Sequence, residues 1–355
     1  MLINNLIIER ILNKFSLKTF CISHDIDSLP SADVWMCGES FFYYSNERIK
    51  KSLDTFINSP VPYILVLTDL FTSTSPISGT FFKNVDTIDG ERRMVNLMDS
   101  PYNFPLPLAS ISLPEFSHSE SECTLCLWSK EQVIDALSRP INDYARYYAQ
   151  MNIDKIIENS FPKNYIGSCI EVGAIDGIRD SNTYYFEKLG WQCMCVEPVP
   201  YHWPALRAQR SNATSYAISS KNEDNVDFNI AMLDNIPRCG VTGLEVDQSL
   251  YQTHKQLPGL SNLSIEVIKV NTRRLDWCIN QYFYRDTIDF ITIDVEGTEL
   301  DVLKSFNVEQ FNTKIFVIEN NHNDPSIEQY MNQFGYYKCL RMFINDFYIK
   351  EPMPR

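Results

Sequence analysis

At 355 residues, the chain has room for roughly two domains, and its net charge of -14, from 31 Lys plus Arg against 45 Asp plus Glu, argues against non-specific binding to a phosphate backbone. A hydrophobic content of 44%, with 21 Phe, 19 Tyr and 5 Trp, supplies real cores and excludes wholesale disorder. The 10 Cys are too diluted for an oxidised scaffold, residues 1–20 lack a secretory apolar core, and no apolar run of about 18 residues follows, so a soluble cytosolic or virion-associated protein without a membrane span is expected.

In chain order, strands are predicted at residues 19–22, 33–36 and 63–68, with a helix of apolar spacing at 47–57. A Pro- and Ser-rich stretch runs on to about residue 122, carrying the aromatic pair Phe81 and Phe82 and the run Tyr102-Asn103-Phe104-Pro105-Leu106-Pro107. Cys123 and Cys126 are spaced like half a zinc site, with His118 nearby, but no fourth ligand is evident; alternation through Trp128 reads as a buried strand instead. Pro140 breaks the pattern, the polar stretch 141–160 is helix-like, and the boundary is placed there, giving modules at 1–150 and 151–355.

The second module alternates short apolar runs (168–172, 192–196, 214–218, 266–270, 287–293 and 314–318) with helical patterns, which predicts a mostly parallel α/β sheet. Its first strand enters Glu171-Val172-Gly173-Ala174-Ile175-Asp176-Gly177, followed by a helix at 181–189. Gly173 allows a tight turn and close backbone approach to a ligand, and Gly177 allows close packing at the helix start. Residue 175 is Ile, where a dinucleotide loop would carry its second glycine, which disfavours NAD and an NAD-linked oxidoreductase. The next strand ends in Glu197-Pro198, 26 residues beyond Glu171, where an acid can accept both hydroxyls of a ribose. Cys193 and Cys195 fall on one face of that strand as packing residues. A further buried strand delivers Asp294 and Glu296 to its carboxyl end, and Thr298 is placed to cap a helix whose Leu300, Val302, Leu303 and Phe306 pack on the sheet.

Together these segments resemble the FkbM family of S-adenosylmethionine-dependent methyltransferases over about residues 165–350. The carriers are Glu171 to Gly177, Ser181-Asn182-Thr183 with Leu189-Gly190-Trp191, Val196-Glu197-Pro198, Tyr216-Ala217-Ile218-Ser219 and, most specifically, the run from Asp294 to Leu303. The resemblance implies a Rossmann-like class I methyltransferase sheet with helices on both faces. It also implies a cofactor site of Glu171, Gly173, Ala174, Gly177, Ser181, Asn182, Glu197, Pro198, Ala217, Ser219 and Asp294. In that site Glu171 and the glycine loop would hold the methionine part, Glu197 the ribose, and residues 216–219 the edge of the adenine. Asp294 and Glu296 would face the transferred methyl or the acceptor. Residues 19–137 resemble the carboxyl-terminal half of another class I methyltransferase, of a kind found beside sugar-modifying enzymes. The carriers lie at 27–35, 62–67, 84–90, 93–97, 101–107 and 127–131, with no glycine loop or ribose acid before them. The first module is thus expected to be a smaller, truncated α/β unit that serves as a scaffold or recognises the acceptor.

Methyl transfer from a sulfonium needs alignment, and a hydroxyl acceptor needs in addition a base or a metal. Asp294 is the expected base, with Glu296 beside it and His322 as an alternative. Asp294, Glu319 and Asn320 form a hard-ligand set suited to Mg²⁺. The expected reaction is O-methylation of a carbohydrate or other small-molecule acceptor. The alternative is a non-catalytic binding or assembly module that retains the fold. Oligomeric state and acceptor identity are not legible in the sequence.

Overall fold

The computed structural model describes residues 5–22, 29–71, 89, 95–99, 101–114, 121–139, 147–234, 236–283 and 285–350. Phe81, Phe82, His118 and parts of the first-module carriers, including 84–88 and 93–94, lie outside the described residues, as does 141–146 of the expected helix-like stretch. No helix among the described residues is long and apolar enough to cross a membrane.

The amino-terminal sheet comprises β1 (Phe20–Ile22), β2 (Val34–Met36), β3 (Tyr63–Phe71), β4 (Ala109–Ser112) and β5 (Ser121–Ser129). Its order is β1-β2-β3-β5-β4, with the first three strands parallel and β5 antiparallel to both neighbours. The predicted helix forms over Asn46–Asn58, where Ser45 caps Arg48 N–H and Ile49, Leu53 and Phe56 recur on the buried face. Helix Lys130–Ser138 starts with a capping box between Ser129 and Gln132. Cys123 and Cys126 are fully buried in β5, as core strand residues.

The following strands are β6 (Ser168–Val172), β7 (Gln192–Val196), β8 (Ala213–Thr214), β9 (Ala217–Ile218), β10 (Glu223–Leu233), β11 (Ile236–Gly243), β12 (Ser264–Arg273), β13 (Phe290–Ile293), β14 (Ile315–Glu319), β15 (Tyr337–Met342) and β16 (Asn345–Ile349). Seven form one sheet in the order β15-β16-β14-β13-β6-β7-β8, parallel from β14 to β8, with β16 antiparallel. β6, β13 and β14 are buried along their whole length, as expected of central parallel strands covered on both faces. One face packs on helices Leu275–Tyr282, Glu299–Lys304 and Pro325–Asn332 through Ile170, Ile291 and Phe316. The other packs on helices Ile153–Asn159 and Tyr184–Lys188 through Cys169, Phe290 and Ile315. This is a Rossmann-like sheet with helices on both faces, as expected. The amino-terminal order β1-β2-β3-β5-β4 follows the same path as β6-β13-β14-β16-β15, strand for strand.

Two expectations need correction. The run 214–218 is broken between β8 and β9, which belong to different sheets, and 266–270 is part of β12 in a four-stranded sheet of order β11-β10-β12-β9. β12 pairs antiparallel with β10 and parallel with β9 and is exposed or half-buried at most positions, so it is a one-sided strand and cannot sit in the doubly covered parallel core. The expected helix at 181–189 shortens to Tyr184–Lys188, and that at 141–160 is helical at Ile153–Asn159 after a short 3₁₀ turn.

The two larger sheets share one core. Trp35, Phe104 and Trp128 belong to the same cluster as Phe186, Trp191, Phe290 and Phe347, and β4 lies against β15. Lys155, 1% exposed, makes a 2.5 Å ion pair with Asp99 across that joint. Asp154 is fully buried and accepts N–H bonds from Tyr148 (2.7 Å), Ala149 (3.2 Å) and Lys155 (3.0 Å), fixing the segment that enters the helix. Burial pushes its carboxyl up to about 7, against those donors. A carboxyl raised by folding contributes stability below its unfolded value, 3.8, and that contribution is lost as pH rises through about 7. Stability should therefore decline between about pH 4 and about pH 7, and Asp154→Asn should flatten the decline in urea unfolding. An identical slope in the variant would remove Asp154 as its source.

Candidate active site

β6 runs into a turn in which Gly173 takes a φ of 94° and donates its N–H to Val196 O at 2.9 Å. A Cβ on Gly173 would lie 1.9 Å from Asp294 O, so only glycine lets this turn approach the end of β13. Ala174 also donates to Val196 O, and Ile175 continues the turn with a left-handed φ of 49°, which a β-branched residue adopts only under constraint. That constraint is Glu197: its Oε2 accepts Ile175 N–H at 2.9 Å and its Oε1 accepts Val199 N–H at 2.8 Å. Burial pushes the Glu197 carboxyl up to about 7, partly countered by these two donors.

Glu171 sits at 3% exposure and is saturated by the loop: Asn182 N–H on Oε1, and Ser181 Oγ and Thr183 Oγ1 on Oε2. The carboxylate therefore orders the loop. Gly177 is outside the cavity; a side chain there would collide with Arg210 and Leu206, so its role is the close packing expected of it.

At the ends of β13 and β14, oxygens of Asp294, Glu296 and Glu319 lie within 4.8 Å of one another. Asp294 opens to the cavity, whereas Glu319 is 5% exposed. Burial raises Glu319 well above the carboxylate range, and the charges of Asp294, Glu296 and Glu299 raise it further. Confinement in the cleft also raises Asp294, while a hydrogen bond with Glu319 pulls it down. Both carboxyls are thus raised, Glu319 the more deeply buried of the two, and their proximity favours sharing one proton between them. Glu296 reaches the group through a left-handed φ of 61°. Thr298 stands at the cap of the next helix without a side-chain cap bond; Glu299 Oε1 takes Val295 and Gly297 N–H instead.

Three expected residues fall elsewhere. Asn320 gives its amide hydrogens to Asp346 Oδ2 and Asp324 O and accepts Asp324 N–H, so it is saturated and Glu296 replaces it in the carboxylate group. His322 is not among the residues that line the cavity, and its Nε2 is paired with Asp247 Oδ2. Ser219 donates to Asp301 Oδ2 at 2.8 Å, outside the cavity, while Ala217 of β9 lines it.

Gly173, Ala174, Ile175, Ser181, Asn182, Glu197, Pro198, Asp294, Glu296 and Glu319 line a single cavity of about 720 Å³. It opens above the carboxyl ends of β6, β7, β13 and β14, where the strand order reverses from β7 to β13 around β6. Residues 171–338 match the methyltransferase FkbM domain.

The matched segment runs from the end of β6 into β15 and includes Glu171, Glu197, Asp294, Glu296 and Glu319. No curated protein matches the chain. Among solved structures, phosphoethanolamine N-methyltransferase 1 of Haemonchus contortus, in complex with phosphoethanolamine and S-adenosylhomocysteine, is 11% identical with a TM-score of 0.24, over 88% of this chain and 67% of that one. Phosphoethanolamine N-methyltransferase 2 of the same organism, in complex with phosphomonomethylethanolamine and S-adenosylhomocysteine, is 10% identical with a TM-score of 0.21, over 87% and 66%.

Sequence reasoning missed Arg210. Its guanidinium is fully buried beneath the glycine loop, 2.5 Å from Glu187, 3.3 Å from Glu171, and bonded to Gly177 O and Thr183 Oγ1. The missed signal was Glu171 itself, an acid inside an otherwise buried strand, which requires partners. Two walls were also missed. The insertion β10 to β12 roofs the cavity with Phe228, Arg238, Thr242, Leu244, Leu250 and His254, and the first module contributes Asn96 and Asp99.

Proposed function

We propose that this cavity binds S-adenosylmethionine and catalyses transfer of its methyl group to a hydroxyl oxygen of a carbohydrate or related small polyol. The observation that carries the reading is the joining, in one cavity, of a glycine loop with a β7-end acid and a group of three close carboxylates. A volume of about 720 Å³ is within the range for ligand sites and leaves room for a second molecule beside a cofactor. The bound cofactor supplies an activated methyl on a sulfonium. Glu197 accepts the ribose hydroxyls with the lone pairs that Ile175 and Val199 leave, Ala217 and Ile218 border the adenine, and Ser181, Asn182 and the loop backbone hold the amino-acid end. Asp294 orients the acceptor hydroxyl and takes its proton as the oxygen forms its bond to the methyl carbon, with Glu319 buffering the proton.

Calorimetric titration of the full chain with S-adenosylhomocysteine tests the reading. One saturable site is expected; no binding by the folded protein would leave the non-catalytic alternative standing, and saturable NAD binding would revive the oxidoreductase. Glu197→Gln should weaken S-adenosylhomocysteine by about tenfold or more through loss of charge-assisted bonds. Because the Glu197 carboxyl is raised to about 7 and the ribose favours its charged form, wild-type affinity should rise from about pH 6 to about pH 8. The variant should lose that slope; retaining it would assign the slope to another group.

A second reading adds a hard divalent cation, favoured by Glu319 Oε2, a buried oxygen without a hydrogen-bond partner. Asp294, Glu296 and Glu319 would hold Mg²⁺, which would supply Lewis acidity to the acceptor oxygen. Mn²⁺ titration followed by electron paramagnetic resonance should then show one site that Glu319→Gln removes; an unchanged free Mn²⁺ signal throughout would exclude it.

A further inference from the structure

The turn between β15 and β16 has a feature that packing does not require. Met342 pairs with Asn345, so the hairpin closes through two residues, Phe343 and Ile344. Phe343 takes a φ of 56°, a conformation that two-residue hairpins reserve for glycine or asparagine. The turn is held firmly in place, since Ile344 O accepts Asn320 N–H at 2.7 Å and Arg341 donates to Asn320 O at 2.9 Å. Yet the side chain is 38% exposed and lines the cavity together with Asn321, Asn345, Glu296 and Glu319. A bulky residue in a strained backbone, exposed where β16 buries Phe347 and Tyr348, points to a ligand contact.

We propose that Phe343 is the stacking surface for the ring of the methyl acceptor, and that this ring is a neutral pyranose. The proposal rests on the methyl-transfer reading and names its substrate class. Phe343 offers one apolar face, which suits the C–H face of a sugar ring. The groups around it are amides, which donate and accept, and carboxylates, which when ionised only accept, so they call for a ligand with hydroxyl donors around its edge. An unsubstituted aromatic ring has no such edge. The same carboxylates repel phosphorylated or acidic sugars. Phe343 is thus a specificity residue that lines the same cavity as Asp294 but has no part in the proton transfer.

The test uses the full chain saturated with S-adenosylhomocysteine and titrated with the methyl pyranosides of glucose, galactose, mannose and rhamnose, with phenol and inorganic phosphate as controls, followed by saturation-transfer NMR. At least one pyranoside should bind the wild type. Phe343→Asn, which suits the turn better, should keep S-adenosylhomocysteine affinity and match or raise the melting temperature, while weakening the pyranoside about five- to tenfold. Phe343→Trp should keep pyranoside binding. Pyranoside affinity within twofold of wild type in Phe343→Asn overturns the proposal, as does phenol binding in place of every pyranoside, or no pyranoside response from a protein that binds S-adenosylhomocysteine. Failure to bind S-adenosylhomocysteine at all overturns the methyl-transfer reading, and this proposal with it.

Discussion

Arg210→Met is expected to lower the unfolding free energy by about 3–5 kcal/mol and to abolish binding of S-adenosylhomocysteine. The guanidinium is fully buried and faces two carboxylates, Glu187 and Glu171, the second of which also gathers Ser181, Asn182 and Thr183. Methionine fills comparable space but leaves both acids buried without their cation, and the loop above them loses its support. Arg210→Lys should recover only part of the loss, because one ammonium cannot reach Glu187, Glu171, Gly177 O and Thr183 Oγ1 together. Guanidinium unfolding decides the point, and a loss below about 1 kcal/mol would mean that the pair is solvated and contributes like a surface ion pair.

Asp294→Asn should reduce methyl transfer by about 10²–10⁴-fold while S-adenosylhomocysteine affinity stays within about twofold. The amide keeps the shape of the carboxyl but cannot accept a proton from an acceptor hydroxyl. It should also change the pH profile: with its partner neutral, Glu319 loses the largest of the neighbouring charges that raise it. Transfer of a radiolabelled methyl at several pH values reads both effects. Equal turnover in the variant would take Asp294 out of the chemistry and leave it a structural role at the end of β13.

The legible part of this protein was local. Strands buried on both faces, such as Phe290–Ile293 and Ile315–Glu319, announce themselves as apolar runs, and Gly173 and Glu197 stand at strand ends where a turn or an acid has an evident purpose. What could not be read were contacts set by the path of the chain. Arg210 follows a short helix and looks like a surface residue; only the closing of the loop over β7 brings it beneath Glu171. Asn320 and Glu296 have the same ligand chemistry in the sequence, and their exchange of roles depends on Asp346, which reaches Asn320 from β16. His322 was drawn away by Asp247 on the insertion, whose antiparallel strands the helix-strand rhythm concealed. Phe343 gave no signal, because its meaning lies in a backbone angle.

The buried Asp99–Lys155 pair and the core running from Trp35 to Phe347 have an evolutionary consequence. Proteins assembled from tethered domains can exchange one by recombination and keep the other working. Here a new amino-terminal partner would take Asp99 from the buried Lys155 and would remove Asn96 and Asp99 from the cavity wall. The two halves can therefore diverge only together, each substitution at the joint being constrained by its counterpart on the other side.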